Sequence, residues 1–286
     1  MSRPNFLIIC TDQMRADHMG CAGNPKIRTP NLDALAAGGV HVPRAYVNCP
    51  LCMPSRATLF TGLTPRGHHV RTNGIPLDRN IPTVPAALSD AGYATASVGK
   101  IHLTNYSVNA DATGVKRTPA EFPENFEYWS SGQITHVPTP YYGLQHVDIT
   151  LGHGPHVHGN YALWLQKEHP EQWRRLTEMK PEPSRLGAEN CGTSPIDASV
   201  HHSVYVADRT IEYLQKQRAD QPFFLISSFP DPHHPYYMPR PWDRAYSPDE
   251  VVPPVARDGE LDYLAPFSGR STRSACSSAA AVRRPK

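Results

Sequence analysis

Three short apolar runs, each followed at once by polar, chemistry-bearing residues, constrain this chain most. Residues 5–10 read Asn-Phe-Leu-Ile-Ile-Cys and lead into Thr11-Asp12-Gln13. Residues 93–98 lead into Gly99-Lys100-Ile101-His102, and residues 222–227 lead toward Phe229-Pro230-Asp231-Pro232-His233-His234-Pro235. Runs this short and continuously apolar suit strands buried on both faces. Residues 5–10 therefore read as a buried central strand. Helical segments lie between the runs. Residues 29–39 predict a short helix, with Thr29 as cap, Pro30 in the first turn and Gly38-Gly39 as the stop. Residues 84–91 predict a helix ending at Gly92. Residues 200–216 predict another, with Val204, Ala207, Ile211 and Leu214 as its apolar stripe. Residues 40–47 predict one more strand. The alternation predicts an α/β fold with a mostly parallel central sheet flanked by helices. Ligands of such sheets sit beyond the carboxyl ends of the strands, where Asp12, Lys100, His102 and His233 fall.

The chain has 286 residues, ample for a buried core and long for one ordinary domain. Its formal net charge of +2 gives no case for nucleic acid or an anionic membrane as partner. No apolar run approaches the roughly 20 residues that span a bilayer. The run from Phe6 to Cys10 is too short for a signal-peptide core, so a cytoplasmic chain is expected. Six cysteines, at 10, 21, 49, 52, 191 and 276, are scattered and predict reduced thiols rather than a disulfide scaffold. Residues 105–197 are rich in Gly, Pro, Tyr and His and show little periodicity. They predict a loop-rich excursion over the active-site edge, part of a domain spanning residues 1–265. Residues 266–286 turn to Ser, Ala and Arg with almost no large apolar side chain, and predict a disordered or frame-shifted tail.

Cys52-Met53-Pro54-Ser55-Arg56 is the rarest local combination. Pro54 suits a first helical turn, which puts Cys52 near a helix N-terminus whose free amides favour an anion. Arg56 adds a permanent charge with fork geometry. A lone Cys49-x-x-Cys52 is a weak redox or metal signal, and no second pair completes a zinc site. Taken singly, Asp12 suits a turn or cap as well as a hard cation, and Lys100 and His102 suit a solvated loop.

Taken together, the elements resemble the type I sulfatases, the formylglycine-dependent enzymes of the alkaline-phosphatase-like superfamily. They are the strand ending in Asp12, Thr29-Pro30-Asn31-Leu32-Asp33, the Cys-x-Pro-Ser-Arg signature, Gly99-Lys100-x-His102 and Pro232-His233-x-Pro235, in the family's order over residues 5–265. The resemblance implies a sulfuric ester hydrolase of the arylsulfatase kind. Its fold would be alkaline-phosphatase/sulfatase-like. Cys52 would be converted to formylglycine by a formylglycine-generating or anaerobic maturation enzyme. Asp12, Gln13 and the matured residue 52 would hold a divalent metal, Ca²⁺ first, with Mn²⁺ or Zn²⁺ as alternatives. The hydrated aldehyde would attack the sulfur of a sulfated small molecule or saccharide, with Arg56 and Lys100 binding the sulfuryl oxygens. His233 would contact and protonate the leaving oxygen, and His102 would take the proton whose loss expels sulfate.

Several residues fall outside the pattern. His234, His68-His69, His201-His202, His153, His156 and His158 match no motif and are expected to be packing or surface residues. Gln13 stands where the family often has a second Asp. No distal Asp-His-Gly or Asp-Asn-Gly and no second site lysine occur. The chain thus resembles the amino-terminal part of an arylsulfatase, truncated, and is expected to be weakly active or inactive alone. A phosphonate or phosphate ester hydrolase of the same superfamily, or a non-catalytic anion-binding remnant, are the alternatives.

Overall fold

The computed structural model describes residues 3–107, 118–184 and 188–251. The chain begins with strand β1 (Phe6–Thr11), followed by helices α1 (Pro30–Gly38), α2 (Cys52–Thr61), α3 (Pro65–His68) and α4 (Val84–Asp90), then strand β2 (Ala94–Gly99). Next come α5 (Phe126–Ser130), β3 (His146–His153), β4 (His156–Gly159), α6 (Asn160–Glu168) and α7 (Pro170–Glu178). Strands β5 (Glu182–Pro183) and β6 (Cys191–Thr193), helix α8 (His202–Gln215), β7 (Phe223–Phe229) and β8 (Tyr236–Met238) complete it.

The main sheet has the order β1-β7-β2-β3-β4. β1, β7, β2 and β3 run parallel, and only β4 is antiparallel. The four parallel strands therefore end at one edge. Side chains alternate across the sheet, as strand geometry requires. Phe224 and Ile226 of β7 face a core with Met53, Ala57 and Phe60 of α2. Leu225 faces the opposite core, with Ala96, Val98, Tyr161, Leu165 and Val206. Helices thus cover both faces of β7 and β2, the architecture expected for a mostly parallel sheet. A small second sheet, β5-β6-β8, lies apart from it. Among the described residues no helix is long and apolar enough to cross a membrane.

Among the described residues β1 pairs only with β7, and Phe6, Leu7 and Ile9 are 41%, 43% and 58% exposed. Three sequence expectations change. Residues 40–47 form no strand, and Val40, Val42, Tyr46 and Val47 are exposed. Pro43 removes a ladder donor in that run. The buried stripe of α8 is His202, Tyr205, Val206 and Thr210, whereas Val204 and Ile211 are exposed. Polar residues packed under the sheet edge displaced the apolar count. The segment 105–197 is no mere excursion, because its described part supplies α5, β3, β4, α6 and α7, with β3 inside the main sheet. Thr29 precedes α1 as expected, but its hydroxyl donates to Asp33 Oδ1 at 2.9 Å and makes no side-chain cap bond. The five described cysteines are free. The tail expected at 266–286 lies outside the described residues.

Asp148 of β3 supplies a stability test. Burial raises its carboxyl to about 6, although the Tyr205 hydroxyl donates to both oxygens at 2.9 and 3.1 Å. A carboxyl raised on folding favours the native state at low pH, and that contribution is lost as pH rises through the folded value. Between about pH 4 and pH 6 the chain is therefore expected to lose up to about 3 kcal/mol from this group. Thermal melts across that range should show Asp148→Asn flattening the loss and raising the midpoint above neutrality. Parallel profiles for the two proteins would contradict this assignment.

Candidate active site

Helix α2 begins at Cys52, with Leu51 as its extended cap residue and Pro54 inside its first turn. Its first amides are less free than the sequence suggests. Met53 N–H donates to Asn73 Oδ1 at 3.0 Å, and Pro54 has no N–H. Cys52 Sγ lies 3.9 Å from Asp12 Oδ1. Asp12 follows β1, and its N–H donates to the Asp231 carbonyl at 3.0 Å, continuing the β1–β7 pairing past both strands.

Lys100 follows β2 and is fully buried. Its ammonium donates to Asp12 Oδ2 and contacts His153 Nε2 at 2.6 Å. Gly99 delivers it. At φ +95 a Cβ on residue 99 would meet the Ser228 carbonyl oxygen at 1.9 Å, so only glycine lets β2 and β7 approach this closely. The backbone beyond bends at His102, which has φ 59, and Glu124 clasps the bend. The fully buried Glu124 accepts from the amides of His102, Leu103 and Thr104 and from the Tyr141 hydroxyl at 2.6 Å. The His102 ring stacks on Tyr106 at 3.8 Å, with its Nδ1 buried and without a hydrogen-bond partner. Arg56, also buried, donates from one nitrogen to the Lys100 carbonyl at 2.7 Å and to Ser228 Oγ at 3.0 Å. It thereby ties the ends of β2 and β7 to α2.

His233 lies four residues past β7. Its ring stacks on His153 at 3.6 Å and on His234 at 4.3 Å, and its Nδ1 is within bonding reach of the His234 carbonyl. Asp12, Cys52 and His233 bring one ligand-capable atom each within 4.8 Å of one another. Gln13 is exposed, with its amide oxygen 3.1 Å from His234 Nδ1. Asp12 Oδ2 is engaged by Lys100, which leaves Oδ1 toward Cys52. This donor set fits a divalent cation held from one side. Ca²⁺ takes roughly six to eight oxygens, and Asp12 and Gln13 are the oxygen donors that the sequence singles out, of which Asp12 alone is in the cluster with Cys52 and His233.

Electrostatics set distinct charge states. Burial opposes ionisation of Asp12, but the His153 bond and the Lys100 and Arg56 charges outweigh it and hold the carboxyl well below the usual range. Burial, then Arg56, lowers Lys100, while Asp12 opposes. His102 lies well below its ordinary value through burial and then the Lys100 and Arg56 charges, so it is neutral. Burial pushes His153 down to about 4 and lowers His233.

The chain also matches known proteins. The family model for the sulfatases matches residues 4–251. The chain belongs to the sulfatase family. An uncharacterised sulfatase, YidJ, of Escherichia coli K12 is 30% identical over 240 residues, covering 84% of this chain and 40% of that protein. A Clostridium perfringens arylsulfatase is 26% identical over 259 residues, covering 90% and 49%. The solved phosphonate monoester hydrolase of Agrobacterium radiobacter superposes with a TM-score of 0.68 at 26% identity, covering 91% of this chain and 47% of that one. The chain thus spans less than half the length of each of these relatives.

In this sulfatase-family chain the strand ends bring Asp12, Cys52, Arg56, Lys100 and His233 together, with His102 on the loop beyond Lys100. Three participants escaped the sequence reading. His153 ends β3, and the alternation Val147, Ile149, Leu151 before Gly152 was its readable signal. Glu124 had none. Asp231 carries the backbone bond to Asp12, and its carboxylate accepts from Ser203 Oγ and lies 3.0 Å from His202 Nε2. Ser203 in the first turn of α8 thus anchors the loop that carries His233, with the His201-His202 pair beside it. His68 is a packing residue, its Nε2 3.1 Å from Thr58 Oγ1.

Glu124→Ala strands three buried amides and is expected to destabilise the fold by about 3–5 kcal/mol in urea titration. A cost below about 1 kcal/mol would show that the loop does not depend on this clasp.

Proposed function

We propose that this chain carries the nucleophile half of a sulfuric ester hydrolase, with Cys52 matured to formylglycine and a divalent cation at Asp12. The observation that carries the reading is the approach of Cys52 Sγ to Asp12 Oδ1, 3.9 Å, beside the buried Lys100 and within reach of His233. A maturation enzyme acting on Cys52 is part of the proposal, and so is a sulfated small molecule or saccharide as substrate. Asp12 and matured residue 52 would hold the cation, with Gln13 adjoining, and Ca²⁺ best suits such oxygen donors. When bound, it supplies Lewis-acid stabilisation of negative charge. The hydrated aldehyde supplies a hydroxyl nucleophile where a thiol would not.

The remaining chemistry belongs to the side chains in place. Lys100 presents an ammonium to the equatorial oxygens of the transferred group, where fixed charges act without reorganising. Arg56 holds the Lys100 carbonyl and adds its own charge behind it. His102, neutral through burial and neighbouring charge, can accept a proton at the nucleophile. His233, partly exposed beside the nucleophile, is suited to protonate the leaving oxygen, and an incoming anionic ester favours its charged form.

A phosphonate or phosphate ester substrate is the second reading. It is favoured by the uncharged Gln13 beside Asp12 and by the structural similarity to a phosphonate monoester hydrolase. Steady-state hydrolysis of p-nitrophenyl sulfate and a phenylphosphonate monoester, with added Ca²⁺ or Mn²⁺, separates the readings. Sulfate ester turnover is expected to exceed phosphonate turnover, and the absolute rate to be low. Cys52→Ala should lose on the order of a thousandfold or more. Turnover that survives this substitution unchanged would refute the nucleophile assignment.

A further inference from the structure

A second group of metal-capable side chains shares no residue with the Asp12, Cys52 and His233 cluster. His201, His202 and Asp231 each bring one ligand-capable atom within 4.8 Å of the others. Adjacent residues of a helix do not face one another. His201 escapes that rule because it is the extended residue before α8, with φ −63 and ψ 145, while His202 is the first residue of the helix. The two rings therefore sit 4.0 Å apart, tilted by 35°. Asp231 reaches them from the loop past β7. His202 Nε2 lies 3.0 Å and His201 Nδ1 3.7 Å from Asp231 Oδ2. The fully buried Tyr161 sets its ring edge-on to His202 and donates its hydroxyl to the Val200 carbonyl at 3.0 Å, which holds the pair from behind.

His202 is 1% exposed, and its Nε2 is buried and makes no hydrogen bond, although a carboxylate oxygen lies beside it. A buried ring nitrogen left without a partner is costly, and a cation shared with Asp231 would relieve it. We propose that His201, His202 and Asp231 form a second divalent-metal site, one for Zn²⁺, that ties the first turn of α8 to the loop carrying His233. Two imidazole nitrogens and one carboxylate oxygen suit Zn²⁺, whereas Ca²⁺ takes an all-oxygen shell. Bonds of roughly 2.0–2.2 Å put neighbouring ligand atoms of a tetrahedral zinc about 3.4 Å apart, and the two distances to Asp231 Oδ2 fall on either side of that. The Asp231 side chain is 18% exposed against 8% and 1% for the histidines, so the ion enters from that side and a water there completes the shell. Ser203 Oγ donates to Asp231 Oδ2 and orients the carboxylate, as the outer partners of metal ligands do. Ligation at His201 Nδ1 replaces its long bond from the Ser203 N–H, 3.3 Å. The site stands apart from the state of residue 52.

Zinc affinity tests this without relying on turnover. The full chain carrying Cys52→Ala, which removes the thiol of the other cluster, is stripped of metal and titrated with ZnCl₂ by calorimetry in excess Ca²⁺. The same titration is run with His201→Asn or His202→Gln added. Asparagine at 201 keeps an acceptor for the Ser203 N–H, so the helix cap survives. We expect the Cys52→Ala chain to bind one Zn²⁺ saturably, and each added substitution to weaken binding at least about tenfold. Zn²⁺ should raise the thermal midpoint of the Cys52→Ala chain and leave the other two in place. Co²⁺ in its stead should give the visible absorption of a tetrahedral site without a thiolate charge-transfer band. Should His202→Gln fail to fold, as judged by thermal melting, His201→Asn carries the test. A folded His201→Asn chain that binds Zn²⁺ as tightly as its parent would overturn the assignment. So would a folded parent with no saturable Zn²⁺ binding, or a thiolate band in its Co²⁺ spectrum.

Discussion

The buried pair of Asp12 and Lys100 is the constraint around which this molecule is arranged. A fully buried ammonium is costly unless an anion meets it, and removing either partner leaves an uncompensated charge. The parallel sheet solves the placement. β1 and β2 flank β7, so residues just past their ends lie on either side of it. The backbone bond from Asp12 to Asp231 extends the pairing beyond β1 and β7, and that from Lys100 to Ser228 carries it one residue past β2. Cys52 enters from the other direction, carried by a helix packed on the sheet face through Met53, Ala57 and Phe60.

The surrounding groups hold this buried pair in place. Arg56 joins the nucleophile helix to the ends of β2 and β7. Glu124 holds the loop that carries His102, and Asp231, gripped by the first turn of α8, holds the loop that carries His233. Arg56 and Glu124 are buried and Asp231 half-buried, and each is hydrogen-bonded by backbone or neighbouring side chains. Such networks give a single geometry, at the expense of a large penalty when one member is lost. The cluster carries more cationic than anionic side chains around Asp12, which suits an anionic ester and a developing negative charge.

Much of this was legible from local pattern. β2 and β7 read clearly because both faces are buried, and the residues after them were already suspect for their position. The motif around Cys52 identified the family from five residues. What the pattern could not carry was long-range pairing. β1 looks like β7 in sequence, yet among the described residues it has one neighbouring strand where β7 has two, because the number of neighbouring strands is a tertiary fact. β3 was lost in a segment crowded with Gly, Pro and His, and His153 was lost with it. Glu124 was invisible because a buried carboxylate whose partners are backbone amides leaves no trace in residue spacing. His201 and His202 looked dispensable until the Asp231 carboxylate appeared between α8 and the His233 loop.

Everything chemical in this account turns on the state of residue 52, since a thiol 3.9 Å from Asp12 and a hydrated aldehyde there belong to different reactions. Tandem mass spectrometry of the peptide that contains residue 52, from protein isolated from its native host, decides between them. The account expects a formylglycine about 18 Da lighter than the cysteine, located at residue 52 and not at residue 49. A peptide carrying only the unmodified thiol would contradict the central claim.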